Sequence, residues 1–567
     1  MFEHIIFIFF IFFFLISTIG FGEIFSRIFK EELLDYSIGY KGLFGFFFIC
    51  LLSLFSSYFF AHNFLHNILF HCFGIIGFIF FLYNKKNNSK EIIYLALLTL
   101  VFLIGSYVYK SHDDFGYYHL TYALNLTENK FIIGTGNFSH GFRTFSSIFY
   151  YNSILYLPLI KFYLFHIGPL FILIFFNYII ISDLFISHKK SDINFLFYFR
   201  LLSLVFINIV FYRISEHGTD RSAQILLILI FINFFELIFS SKKNLNKISQ
   251  INLLLIIIFL ASSMKAIYYM YLLLVPIILI KSRFFLKYLK LYNIKMILIL
   301  TLSLSGNLIT NYFNTGCFLY PSVTTCVVEQ SWSIPKKEVQ TLKTHYEWWS
   351  KAGGGANYKS EMDSEVYIKN FNWLENWIKR HFFNKVSDTL YGIIFICLVI
   401  YFSFYSFSKK DKIPPKLNYN QLSLSIILPI IFLLEWFINH PSMRYGGYVL
   451  VALPFLITTS FLCEKLSIKK KNFFLLALIF VVISFSLFFT RNIIRINKEI
   501  KFYQYDIIST PYFYVEKVKS QKIIDQGNIK IYTPLNNKMC WASKTPCSYR
   551  KDLKIDKFLG LNVINRK

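Results

Sequence analysis

The sequence has no P-loop, no Rossmann fingerprint, no paired CxxC zinc motif and no repeat at a solenoid period, so nucleotide-, zinc- and repeat-based architectures have no footing in it. Charge is scarce as well. Only 16% of the 567 residues are charged, against 56% hydrophobic, and mean hydropathy is +0.52. That composition excludes an ordinary soluble globular protein. Acidic residues are the scarcer kind, 31 against 58 Lys and Arg, for a formal charge of +27. In a soluble chain this excess would point to nucleic acid. Here the cations fall in short clusters between apolar runs, which is a topology signal, and no nucleic-acid partner is expected. The 70 Phe follow the same compositional bias as the abundant Ile, Asn, Lys and Tyr, so they are not a ligand signal.

Apolar stretches near the roughly 20 residues needed to cross a bilayer lie at 5–20, 42–60, 64–83, 91–109, 168–187, 193–212, 222–240, 250–263, 266–281, 295–311, 388–407, 421–438, 446–463 and 472–490. They predict an all-α polytopic membrane protein of about fourteen transmembrane helices. The first is expected to be uncleaved, because it lacks a basic leading segment and a clear small-residue cleavage site. One arrangement puts Lys85-Lys86, Lys189-Lys190, Lys242-Lys243, Lys281 to Lys295, Lys409 to Lys416 and Lys469 to Lys471 in the cytoplasm. The segments 110–167, 213–221, 312–387, 439–445 and 491–567 then lie outside.

Cysteine usage agrees with that orientation. Cys317 and Cys326 share one outer loop and Cys540 and Cys547 share the tail, each pair suited to a disulfide in an oxidising compartment. Cys50, Cys72, Cys397 and Cys463 sit in apolar runs as packing residues. The expected location is a bacterial inner (cytoplasmic) membrane with the outer loops in the periplasm. Five regions follow: N-terminal helices 1–90, a transmembrane core 91–311 with an acidic first loop 110–167, a periplasmic loop domain 312–387, C-terminal helices 388–490, and a tail 491–567. The loop domain carries Trp332, Trp348, Trp349, Trp373 and Trp377, a Gly353-Gly354-Gly355 break and an expected amphipathic helix from Tyr367 to Phe383. The tail combines a basic helix, Arg491 to Phe502, with a strand, Ile529 to Thr533, so a small mixed α/β unit is expected there.

Chemistry concentrates in His112-Asp113-Asp114-Phe115-Gly116-Tyr117-Tyr118-His119, directly after an apolar run. Ionisable residues at a membrane boundary are costly and usually have a task. Of Asp113 and Asp114, one is read as a general base, or both as divalent-cation ligands with His119 or His112 completing the set; the bland alternative is a helix-end cap. Arg143, after Gly134-Thr135-Gly136-Asn137, suits a phosphate or an ordinary surface turn. Lys265, in a tight turn after Ser262-Ser263-Met264, has a lipid phosphate as its natural partner or else snorkels to the interface. Arg444, in Pro441-Ser442-Met443-Arg444-Tyr445, is again suited to an anion. Arg213, Glu216, His217, Asp220 and Arg221 form a third cluster, read equally as a site or as mutual ion pairs.

In order, these elements resemble the GT-C-type membrane glycosyltransferases, the class that includes the protein O-mannosyltransferase and aminoarabinose-transferase relatives. Asp113-Asp114 matches an acidic pair in the first large outer loop. Ser262-Ser263-Met264-Lys265 is similar to a Lys at the outer end of a middle span, Pro441 to Tyr445 to a late Pro-x-x-Arg-Tyr, and Thr315 to Pro321 to a Gly-x-x-x-x-Pro loop opening. The resemblance implies transfer of a sugar from a polyprenyl-phosphate donor to a glycan, lipid or protein acceptor at the periplasmic face, in a GT-C-like fold surrounded by membrane lipids. It implies Asp113 or Asp114 as the base, Lys265, Arg444, Arg143 and Arg221 around the donor phosphate, and His112, His119, Tyr118, His217 and Tyr445 around the substrates, with a divalent metal ion as an optional cofactor. A glycan polymerase or ligase, and a transporter or lipid-linked glycan flippase, stay open as alternatives. The latter calls for charges at the bilayer midplane and repeated halves, which this sequence does not offer.

Overall fold

A backbone in hydrocarbon must satisfy its own polar groups, so the long apolar segments become helices whatever surrounds them. The computed structural model describes residues 2–29, 33–84, 88–189, 193–216, 218–239, 244–281, 294–327, 330–354, 362–408, 419–526, 529–535 and 539–567. Among the described residues the chain opens with helices α1 (Phe2–Ile28), α2 (Ile38–Ser57), α3 (Phe64–Asn84) and α4 (Asn88–Phe102). Two short ones follow, α5 (Leu120–Glu128) and α6 (Ser147–Ile154), then α7 (Gly168–Lys189), α8 (Phe195–Val210), α9 (Gly218–Phe239), α10 (Asn244–Met264), α11 (Leu274–Lys281) and α12 (Ile294–Thr315). The second half contributes α13 (Lys336–Lys351), α14 (Ser387–Ser406), α15 (Tyr419–Asn439), α16 (Gly447–Glu464) and α17 (Lys470–Tyr503). Among the described residues ten helices are long and apolar enough to cross a membrane, and Phe195–Val210, Ile248–Met264, Ala266–Ile280 and Ser425–Asn439 are shorter apolar helices. This is the build of a polytopic membrane protein. Much of the basic clusters, together with His217 and Gly355, lies outside the described residues.

The interior of the bundle is built from helices apolar on every side, the pattern expected of a helix surrounded by others. Every residue of α9 from Ile225 to Ile232 is almost wholly buried. Helices α1, α2 and α3 approach more closely than side chains would allow. A Cβ on Gly45 would sit 1.7 Å from the Thr18 carbonyl oxygen, and one on Gly20 would sit 1.7 Å from that of Gly74. Small residues at such crossings let backbones touch, which is how helices gain contact in lipid. Gly20→Val is therefore expected to separate α1 from α3 and destabilise the protein by about 3 kcal/mol or more. The check is thermal unfolding of the detergent-solubilised variant. A melting temperature equal to that of the parent would show that the crossing has slack.

One segment departs from expectation. No separate helix runs from Tyr367 to Phe383: Asn370 and Phe371 adopt left-handed backbone, φ 49° and 59°, which breaks the chain. A continuous helical stretch, Leu374–Ser406, begins only beyond them and carries α14. The basic segment Arg491 to Phe502 is helical as expected, and is continuous with the last span as the end of the 34-residue α17. The tail beyond it forms two antiparallel hairpins, β1 (Ser520–Gln526) with β2 (Ile529–Pro534) and β3 (Leu553–Phe558) with β4 (Leu561–Arg566). Cys317–Cys326 and Cys540–Cys547 are disulfide-bonded.

The long connections gather on one another. Val563 of β4 pairs with Ile133 of the first loop, the Trp541 amide donates to the Gly116 carbonyl at 2.9 Å, and the Tyr514 amide to that of Tyr109 at 2.9 Å. The Trp377 indole reaches the Pro441 carbonyl at 2.7 Å. Loop 110–167, region 312–387, turn 439–445 and the tail thus meet at one end of the bundle, where the charged site lies.

Candidate active site

Asp220 is the hub of the site. It lies in the first turn of α9, where the helix dipole favours an anion, and is only 6% exposed. Its two carboxylate oxygens are used by different cations: the Lys265 ammonium on Oδ1, and the Arg444 Nε, which donates to Oδ2 at 2.5 Å. Lys265 reaches it because α10 ends at Met264 and Lys265 itself is extended, φ −152°, before the tight helical turns Ala266–Leu273 begin. Its ammonium also lies 4.6 Å from the centre of the Tyr445 ring, a cation–π contact. Arg444 sits in a single turn, Met443–Tyr445, closed by Gly446 at φ 94°. Its backbone carbonyl accepts from Gln224 of α9 at 3.1 Å, which fixes the turn against the same helix that supplies Asp220.

The Arg444 guanidinium carries the network outward, Nη2 donating to Asp114 Oδ2 at 2.7 Å. Asp114 caps a wide π-type turn, Phe115–His119, that leads into α5. Its side chain is 28% exposed, so one face is paired and the other is open. The Asp114 amide donates to His112 Nδ1 at 3.1 Å, which uses that nitrogen as an acceptor. Burial opposes ionisation of Asp114, but Arg444 and the two nearby imidazoles outweigh it and hold the carboxyl below its ordinary range. Burial also pushes His112 below its usual value against the pull of Asp114. Asp220, and then Asp114, keep the Arg444 guanidinium charged. Burial draws Lys265 down, opposed by Asp220. Two carboxylates and two cations thus form one neutral chain of charge-assisted bonds.

Asp113 does not join Asp114. Adjacent residues of a helical turn point about 100° apart, and the Asp113 side chain is 82% exposed with Lys110 at 3.9 Å as its ion-pair contact. A shared-proton or metal-binding Asp pair is therefore not formed. Among the described residues no group of three or more His, Cys, Asp and Glu side chains is placed to hold a metal ion. His119, the expected third ligand, is 7% exposed; burial lowers it to about 3, and its ring packs on Tyr118 at 4.4 Å and Phe149 at 5.0 Å. It is a packing residue.

The other expected phosphate ligands are engaged elsewhere. Arg143 is buried, donating from Nη2 to Glu338 at 2.6 Å and from Nε to the Gly136 carbonyl at 2.9 Å. Glu338 also accepts from Arg566 at 2.6 Å, so Arg143 ties the first loop to α13 and to the C-terminal hairpin. Arg221 follows Asp220 but turns away, its guanidinium 4.5 Å from the Tyr448 ring centre and 4.9 Å from that of Phe211. His217 lies outside the described residues. Asp114, Lys265, Arg444, Tyr445 and His112 are brought together. Tyr118 is near them and feels the charges of Asp114 and Arg444.

Two contributions escaped the sequence reading. Asp220 belongs to a cluster that the sequence reads equally as a site or as mutual ion pairs, and nothing in the sequence sets it apart from its charged neighbours. Helix α13 brings Trp349 to 6.1 Å from Tyr445 and Tyr346 into the electrostatic reach of Arg143, Tyr117 and Asp114. The open side of Asp114 and Arg444 is therefore bordered by aromatic rings, with a Tyr117–His140 hydrogen bond of 3.0 Å on its margin. The arrangement offers an ionised carboxylate, an arginine with Nη1 outside these bonds, and stacking surfaces.

No curated protein and no solved structure matches the chain. A family model described as a domain of unknown function, DUF8201, matches residues 4–451, a span that takes in Asp114, Asp220, Lys265 and Arg444. With most of its length covered by that match, the chain belongs to the DUF8201 family.

Proposed function

We propose that this protein is a GT-C-type glycosyltransferase of the bacterial inner membrane, with about fourteen spans and its charged end in the periplasm. It transfers a sugar from a polyprenyl-phosphate donor to an envelope acceptor. The observation that carries this reading is the half-open Asp114–Arg444 pair at a membrane boundary. A carboxylate and a guanidinium share one bond, each keeps an accessible side (28% and 32% exposed), and aromatic rings border them. The orientation rests on the basic clusters and on the two disulfides at the charged end.

The reaction is a single displacement with inversion. The donor phosphate takes the N–H groups of Arg444 that Asp220 and Asp114 leave unused. That anion competes with Asp114 for the guanidinium, so the carboxylate loses its stabilising partner and becomes the stronger base. The acceptor hydroxyl gives its proton to Asp114 as its oxygen bonds to the anomeric carbon. The bond from that carbon to the phosphate oxygen breaks, and its electron pair leaves on polyprenyl phosphate, where Arg444 and Lys265 meet the charge. Lys265 and Asp220 hold Arg444 in place throughout.

The test is release of polyprenyl phosphate from a lipid-linked sugar by the reconstituted protein, followed across pH. Asp114 is held below the carboxylate range, so its working, ionised form persists as pH falls and is lost only when pH passes through that depressed value. The acid limb of kcat/KM, which reports the free protein, is therefore expected below pH about 4, with a flat profile above it. A limb near pH about 6.5 would transfer the base role to an imidazole. Movement of the donor across the bilayer with no release of polyprenyl phosphate would replace the transferase reading with a flippase.

A further inference from the structure

The β3–β4 hairpin turns through two residues, Leu559 and Gly560, both left-handed at φ 49° and 76°. Such a turn favours Asn-Gly or Asp-Gly, because an L side chain resists this backbone unless it is short and polar. Leu559 meets neither condition and is also 82% exposed. In water it is unfavourable in backbone and in solvation alike. An apolar medium at the hairpin tip removes the second objection.

Such a medium lies alongside. The hairpin forms one wall of a groove of about 850 Å³ whose opposite wall is Phe60, Leu65, Leu69 and Phe73, on and just before α3. Leu65, Leu69 and Phe73 are 69%, 55% and 63% exposed, as on a helix face turned to lipid. The polar end of the groove is different in kind. Lys130, just after α5, and Lys557 of β3 both line it, and among the described residues neither ammonium has an ion-pair or hydrogen-bond partner. Glu128 lies there too, but its carboxylate accepts from the Thr545 hydroxyl at 2.6 Å. One end sets two ammoniums against one carboxylate, an excess of one positive charge, and the other is apolar, which is the complement of an anionic amphiphile.

We propose that this groove seats one anionic membrane phospholipid. Its phosphate lies within reach of Lys130 and Lys557, its acyl chain runs along Leu65, Leu69 and Phe73, and Leu559 dips into the same leaflet. The seat is separate from the Asp114–Arg444 site and does not depend on sugar transfer. It clamps the C-terminal hairpin to the membrane surface beside α3.

The test uses the full chain reconstituted in nanodiscs of equal phosphatidylglycerol and phosphatidylcholine, then released into mild detergent for native mass spectrometry. Bound phosphatidylglycerol is expected in clear excess. Lys130→Gln with Lys557→Gln should lower it roughly tenfold or more, two interfacial lysines being lost. Leu559→Asn suits the turn and so keeps the fold; it is expected to lower retained lipid severalfold while the melting temperature holds or rises. Equal retention of both lipids, or undiminished phosphatidylglycerol in the lysine variant, overturns the proposal. Displacement of the bound lipid by inorganic phosphate also overturns it, by making the groove a site for a soluble anion.

Discussion

Asp114→Asn is expected to lower sugar transfer by roughly 100-fold or more while the protein remains folded and still binds its lipid donor. The substitution keeps the shape and one accepting oxygen, so the Arg444 Nη2 bond at 2.7 Å can be re-formed to the amide carbonyl. What disappears is the capacity to take a proton. Asp113→Asn is the internal control. That side chain is 82% exposed and outside the network, so its loss should leave turnover near the parental rate. Single-turnover rates and donor binding of the two variants, measured side by side, check the pair. Equal damage from both would mean that the acidic character of the loop matters rather than the position of Asp114. Parental activity in Asp114→Asn would remove the base from the proposed mechanism.

The second large effect is expected from Asp220→Asn, and it falls on stability. Asp220 binds both cations, and removing one partner of a buried pair costs about 3–5 kcal/mol because a desolvated charge is left behind. The variant keeps Lys265 and Arg444 with only Asp114 to balance them. It should therefore melt well below the parent, and anionic donor should raise its melting temperature more than it raises that of the parent. Combining Asp220→Asn with Lys265→Met removes the stranded ammonium as well and is expected to recover part of the loss, a coupling that a double-mutant cycle reads directly. A single variant as stable as the parent would show that water already screens the site.

The spans were the most legible part of the chain. The expected stretch 168–187 is Gly168–Lys189 and the stretch 64–83 is Phe64–Asn84, because in hydrocarbon a helix is decided by the segment's own length and polarity. Both cysteine pairs were legible for a similar reason, since separations of 9 and 7 residues bring the thiols together with little help from the rest of the chain. Lys265 and Arg444 stood out because cations beside apolar runs are costly. Their partner did not, because Asp220 sits among other charged residues that are equally visible in the sequence.

Direction and distance lay beyond the sequence. Asp113 and Asp114 are identical in type and adjacent in the chain, yet one faces solvent and the other faces an arginine 330 residues away. Arg143 looked as free as Arg444 until α13 brought Glu338 against it. The sequence by itself determined that this chain lives in a membrane, roughly where it crosses, and which residue types carry its charge at the boundaries, because those depend on local polarity alone. The tertiary structure alone decided which carboxylate meets which cation and which aromatic rings border them, because a side chain's partner is set by helices that pack together from opposite ends of the chain.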